Sequence, residues 1–125
     1  AIPVLGYQTN KFPGFYLTDS GFKLEHSVKN VEEISKIWGL RHSLNTDDTA
    51  IIVANPVTNQ MDKNHHDQIL EAGLLAADQA NITGKAVTPF LLEHFHTTSK
   101  GESLRVNIEI IKANSKLAAQ IACAL

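Results

Sequence analysis

Three groupings in this 125-residue sequence carry side chains that ligate metals or move protons: His65-His66-Asp67, His94-x-His96 and Asp47-Asp48. A metal needs ligands that converge on one point, and residues one or two apart on a helix face different ways. Both histidine groups fall in helically patterned segments. Solvated helix surface is therefore the expectation for them, and no metal site is assigned in this chain. Asp47-Asp48 reads as a turn before a strand, not as two facing carboxylates. Ser20, in Asp19-Ser20-Gly21, has no histidine at a spacing that would make it a nucleophile. Lys85 reads as a helix-entry lysine, and the role of His26 in its turn-rich loop stays open. Cys123 is the single cysteine, which excludes an internal disulfide and fits a reducing cytoplasm.

The last helical segment, Ser103 to Ala124, carries a different signal. At about 100° per residue, Arg105, Glu109, Lys112, Lys116 and Gln120 gather on one side, and Cys123 falls there too. Leu104, Ile108, Ile111, Ala118, Ile121 and Leu125 define the opposite side, which is the expected buried face. Asn107 and Asn114, seven residues apart, land in its middle. A buried primary amide without a partner costs on the order of 1–3 kcal/mol. Each asparagine is thus expected either to bond a neighbouring loop and fix how the helix docks, or to point into a ligand pocket.

The elements that must position these residues read as α/β. Ile2 to Tyr7 and Thr49 to Ala54 are β-branched or apolar runs that end at Gly6-Tyr7 and Asn55-Pro56. Between them, Asn30 with Glu33 three residues on reads as a capping box opening a helix to about Trp38. Asp62 to Ala80 is a helix rich in Ala and Leu. Thr88-Pro89 reads as the cap and first position of a helix ending near Thr98, and Ser103 to Ala124 follows after Gly101. The count is two short strands and about four helices. Two parallel strands cannot make a stable sheet, since sheets usually hold roughly four to six and parallel sheets are covered on both faces. The expectation is the C-terminal portion of an α/β/α layered domain over 1–125, with Ala1-Ile2-Pro3-Val4-Leu5 continuing from preceding chain.

Composition narrows the partners. Hydrophobic residues make up 43% and charged residues 19%, enough apolar surface to build a core. The formal net charge of −2, with signs interspersed, offers no basic surface for nucleic acid or an anionic membrane. No uninterrupted apolar run is long enough to cross a bilayer. A small phosphorylated ligand fits, because a few local donors suffice for one phosphate.

Gly6-Tyr7-Gln8-Thr9-Asn10-Lys11-Phe12-Pro13-Gly14-Phe15-Tyr16, Ser20-Gly21, Val53-Ala54-Asn55-Pro56, Gly84-Lys85-Ala86-Val87-Thr88-Pro89-Phe90-Leu91-Leu92 and Ser103-Leu104-Arg105-Val106-Asn107, closing on an alanine-rich end, occur in one order. Together they resemble the pseudouridine-5′-phosphate glycosidases, the group that includes the indigoidine-synthesis A proteins. Thr18 and Ser27 depart from that family, which carries basic residues there. The resemblance implies reversible cleavage of the C–C glycosidic bond of pseudouridine 5′-phosphate to uracil and ribose 5-phosphate. It implies a lysine Schiff base, a divalent metal, typically manganese, a nucleotide-sized substrate and a cytoplasmic homotrimer. The family's nucleophilic lysine, metal-binding aspartate and proton donor precede the strand at Ile2, so they belong to an N-terminal part that this chain would need as its partner. Lys85 is not that nucleophile. Asn107 is the position that corresponds to the family's pocket asparagine, which leaves Asn114 a weaker substrate-binding candidate. The alternative is a non-catalytic assembly or binding module built on the same scaffold.

Overall fold

In a computed structural model, which describes residues 2–125, the chain forms an α/β arrangement with a small parallel sheet and four α-helices. Strand β1 (Val4–Tyr7) lies between β2 (His26–Val28) and β3 (Ile52–Ala54), parallel to both. Leu5 stands opposite His26 on one side and Val53 on the other. The strand β2 is an addition to the two expected. Its three residues are short, two are exposed, and turn residues surround them, so neither alternation nor apolar continuity marks it.

Helix α1 (Val31–Ser43) starts as its sequence dictates. The Asn30 side chain accepts the Glu33 N–H at 3.0 Å, and the Glu33 carboxylate accepts the Lys29 N–H at 2.7 Å. The helix runs a full turn past Trp38. Arg41 in that extra turn donates to the carbonyls of Thr46 and Thr49, tying the helix end to the loop that enters β3. Helix α2 (Lys63–Gln79) is capped by Asp62, whose carboxylate accepts the His65 N–H at 2.8 Å.

The expected cap at Thr88 is not there. A 3₁₀ turn (Gly84–Ala86) leads directly into α3 (Val87–Thr98), so Thr88 is the second helical residue and caps nothing. Pro89 is the third, where the missing N–H still has no helical acceptor to lose. Helix α4 (Glu102–Ala124) begins at Gly101, whose φ of 92° lies in the left-handed region that glycine adopts at little cost.

Two core clusters share α4. Leu5, Val28 and Ile34 pack between the sheet, α1 and the C-terminal half of α4 through Ile121. Tyr16, Val57, Met61, Ile69, Phe95 and Val106 form the second, between α2, α3 and the N-terminal half of α4. Gly6 marks the tightest backbone approach, since a Cβ there would overlap the Thr9 carbonyl oxygen.

The face that α4 buries is not the one its apolar residues suggest. Ser103, Val106 and Leu117 are the buried positions, roughly 110° around the helix from the expected centre at 100° per residue. Leu104, Ile108 and Ile111 are exposed, Ile111 at 59%. The helix has an apolar arc much wider than the ~100° stripe of an ordinary surface helix, and only one side of that arc is covered.

Candidate functional site

Asn107 and Asn114 sit on the seam between the buried and uncovered apolar sides of α4. The two amides differ in their surroundings. Asn55, the first residue beyond the carboxyl end of β3, donates from Nδ2 to Oδ1 of Asn114 at 3.1 Å. Asn114 therefore anchors α4 to the sheet, and its side chain is exposed rather than buried. Asn107, two turns earlier, is half-buried, and none of the described residues hydrogen-bonds its side chain. A carboxamide offers two N–H donors and an acceptor oxygen. In Asn107 none of the three is used by the described residues.

The start of α4 is fixed from behind. Ser103, 2% exposed, lies one turn before Asn107 and so on the same side of the helix. Its N–H donates to Ser99 Oγ at 3.0 Å. Its hydroxyl neighbours that of Tyr16 and, as a hydrogen-bonding group, draws the phenol's pKa down. Tyr16 in turn packs on Phe95 with ring centroids 5.0 Å apart, and on Phe15 edge-on at 4.7 Å. Burial pushes the Tyr16 phenol above its ordinary value, while the Ser103 hydroxyl partly offsets this. The Phe-Pro-Gly-Phe-Tyr loop and the Ser-Leu-x-x-Asn helix are thus one structural unit. Sequence reasoning treated them as separate motifs; their shared content of buried hydroxyls is the signal that could have joined them.

The histidine groups depart from solvated helix surface. His66 lies 5.2 Å from the Phe95 ring and 6.4 Å from Tyr16, with its side chain only 14% exposed. His65 reaches Glu102 at 3.4 Å, linking α2 to α4. His94 packs against Gly73 with a buried Nε2 that has no hydrogen-bond partner, whereas His96 is exposed. For His66 and His94 the cause is the close packing of α2 against α3, which draws in rings that would face solvent on either helix alone; for His65 it is Glu102 of α4. Among the described residues, no three His, Cys, Asp or Glu side chains are grouped to hold a metal, so the segment does not fit a metal site.

Elsewhere the ionisable groups make surface pairs. Lys63, 2.5 Å away, and then His66 hold the Asp67 carboxyl below its usual range. Lys11 at 2.7 Å and then the Gly21 N–H do the same for Asp19, and His42 at 2.6 Å and then its own N–H for Asp47. The turn reading of Asp47-Asp48 agrees with that pairing. Lys85 is exposed within the 3₁₀ turn, and Cys123 is exposed near the end of α4. His26 is exposed on β2 and borders an open cleft with Ile2, Val4 and Arg41. Thr18 donates both its N–H and its hydroxyl to Gln60 Oε1 at 2.9 Å, which ties down the loop where the resemblance had left local contacts open. Among the described residues no helix is long and apolar enough to cross a membrane.

The family model for indigoidine synthase A like protein matches residues 1–124. The chain belongs to the indigoidine synthase A-like family. It is similar to the pseudouridine-5′-phosphate glycosidase of Salinispora tropica, 46% identical over 98% of this chain and 39% of that protein. The glycosidase of Streptomyces griseus is 41% identical over 98% of this chain and 39% of its own length. Among solved structures, an indigoidine synthase A-like protein from Thermotoga maritima superposes with a TM-score of 0.81 at 32% identity, over 97% of this chain and 40% of its own. The prealnumycin C-glycosynthase AlnA, solved with ribulose 5-phosphate, gives 0.86 at 19% identity over 99% of this chain and 41% of its own, a likeness of fold. This indigoidine synthase A-like chain spans about 40% of the length of the relatives it matches, and the match is to their C-terminal part.

Proposed function

We propose that this chain is the C-terminal part of a pseudouridine-5′-phosphate glycosidase that cleaves the C–C glycosidic bond reversibly, giving uracil and ribose 5-phosphate. The observation that supports the reading most is the half-buried, unpartnered carboxamide of Asn107, in a chain 46% identical to a protein of that name. Asn107 supplies donors and an acceptor to the substrate's polar edge, and the Tyr16–Ser103 unit holds it in place. Asn114 supports the site from a distance by fixing α4 on β3. A carbon leaving group cannot be released by protonating a glycosidic heteroatom, so a covalent route through a lysine Schiff base divides the step. That lysine, the proton donor and a divalent metal, manganese, belong to the upstream part, and a cytoplasmic homotrimer is the expected assembly. When bound, the metal supplies charge that orders the phosphate end of the substrate.

The test is a chimera in which this chain replaces the matching segment of the Salinispora tropica glycosidase, assayed for uracil release from pseudouridine 5′-phosphate with manganese. Activity is expected, with Asn107→Ala lowering turnover at least tenfold, equivalent to about 1.4 kcal/mol of lost transition-state stabilisation. Full activity of Asn107→Ala would remove Asn107 from the site. A folded but inert chimera would favour a non-catalytic module.

A further inference from the structure

The uncovered side of α4 is continuous along the helix. Leu104, Ile108, Ile111, Ala118 and Ala122 share it, and the first three are 46%, 44% and 59% exposed. Toward the C-terminal end it opens into an apolar groove of about 300 Å³, where Trp38 of α1, Ile51 just before β3 and Val53 within β3 form the far wall. The free edge at β3 is apolar as well, with Ile52 46% exposed. The opposite edge, β2, presents exposed His26 and Ser27. The sheet therefore has one polar edge and one apolar edge, and an unpaired strand edge presents free N–H and C=O groups that a further strand would satisfy.

We infer that this surface, the uncovered side of α4 together with the β3 edge and the Trp38 groove, receives the upstream part of the family polypeptide, and that docking there completes the pocket around Asn107. The identity of the occupant rests on the proposed function and on the family match, in which the larger part of each relative lies outside this chain. A second copy of the chain fits less well, because an apolar parallel strand edge calls for a further strand from the same sheet. Asn107 lies on the seam of α4, beside Ile108 and Ile111. An element that covers Ile111, one turn on from Asn107, also borders the Asn107 side.

The experiment compares one pair of substitutions in two contexts. Ile108→Glu and Ala118→Glu place a charge at positions that are exposed in the isolated chain, so its melting temperature is expected to move by no more than about 2 °C. In the chimera with the Salinispora tropica relative, the same substitutions are expected to lower it by roughly 5 °C or more, because the charges become buried. Lys112→Glu, on the wet face, serves as the control and is expected to leave both unchanged. The single Trp38, replaced by 5-fluorotryptophan in the isolated chain co-expressed with the relative's unmatched part, should show a ¹⁹F shift on complex formation. Equal small effects in both contexts, a chimera that does not fold, or an isolated chain that self-associates and protects the stripe would each overturn the assignment. Uracil release is read separately: an inert chimera with the expected melting shifts defeats the glycosidase reading alone. An active chimera without those shifts defeats the docking surface alone.

Discussion

Tyr16→Phe and Ser103→Ala, made singly and together, probe the unit that holds the start of α4. Phenylalanine keeps the ring contacts with Phe95 and Phe15 and removes only the hydroxyl. Ser103, 2% exposed, then keeps a hydroxyl with no access to water. Stranding a buried polar group costs about 1–3 kcal/mol, and each single change is expected to fall in that range. The double mutant removes both groups at once, so its cost should stay close to that of one single change. The resulting coupling is about 1–3 kcal/mol, within the span seen for residues in direct contact. For a chain of this length each kcal/mol corresponds to roughly 3–6 °C in melting temperature, which thermal unfolding resolves easily.

The same pair predicts a pH dependence. The folded state holds the Tyr16 proton more tightly than the unfolded chain does, because burial raises its pKa above 10.0. The stability this represents is fully present below pH ~10 and is lost as pH rises through the raised value. Alkaline melts of the wild type should therefore fall more steeply above pH 10 than those of Tyr16→Phe. Additive costs in the cycle, or identical alkaline slopes, would show that Ser103 and Tyr16 are neighbours without an energetic link. Asn107 would then owe its position to something else.

Two glycines in helices should respond to alanine with opposite signs. A Cβ at Gly73 would lie 2.8 Å from His94 Cδ2 and 3.0 Å from Leu91 Cδ2, so Gly73→Ala should destabilise by about 1–3 kcal/mol through overpacking. Gly39→Ala meets nothing within 4 Å and should stabilise α1 by about 0.5–1 kcal/mol; urea melts of the two variants check both signs. The Asp67 carboxyl is held down chiefly by Lys63. The stability from that shift is present above the unfolded carboxylate pKa of about 3.9 and disappears as pH falls through the lowered folded value. In an NMR titration, Lys63→Met should move the Asp67 midpoint back up toward 3.8. An unmoved midpoint would assign the shift to His66.

What the sequence discloses follows from the range of the interactions involved. The cap at Asn30 is local, a side chain reaching a backbone N–H three residues on, and is legible in the chain; Asp62, read from the sequence only as the start of a helix, caps α2 in the same way. The cap at Thr88 is the same kind of inference. It fails because the 3₁₀ turn before α3 starts the helix two residues earlier, and no local preference announces that turn. Strand β2 owes its existence to Leu5 and Val28, twenty-three positions apart, and three residues of mixed polarity hold no record of such a partner. His66 and His94 are misread for a similar reason, since their environment is made by Phe95 and Gly73 from the other helix, whereas His96 is exposed as expected.

The rotation of α4 shows how an error of this kind can inform. A helical wheel assumes one buried side and places it at the centre of the apolar arc. On the docking proposed above, the arc is wide because it serves two neighbours, and this chain contains one of them. The centre of the arc is then neither face but the seam between them. Asn107 and Asn114 sit near that seam, where a polar group can be enclosed by protein and still open to a ligand. Asn114 is spoken for by Asn55, and Asn107 by nothing among the described residues. Two amides that the wheel cannot tell apart are separated by a single hydrogen bond from the end of a strand. That bond, rather than any difference in the helix itself, is the physical basis for preferring Asn107 as the group that meets the substrate.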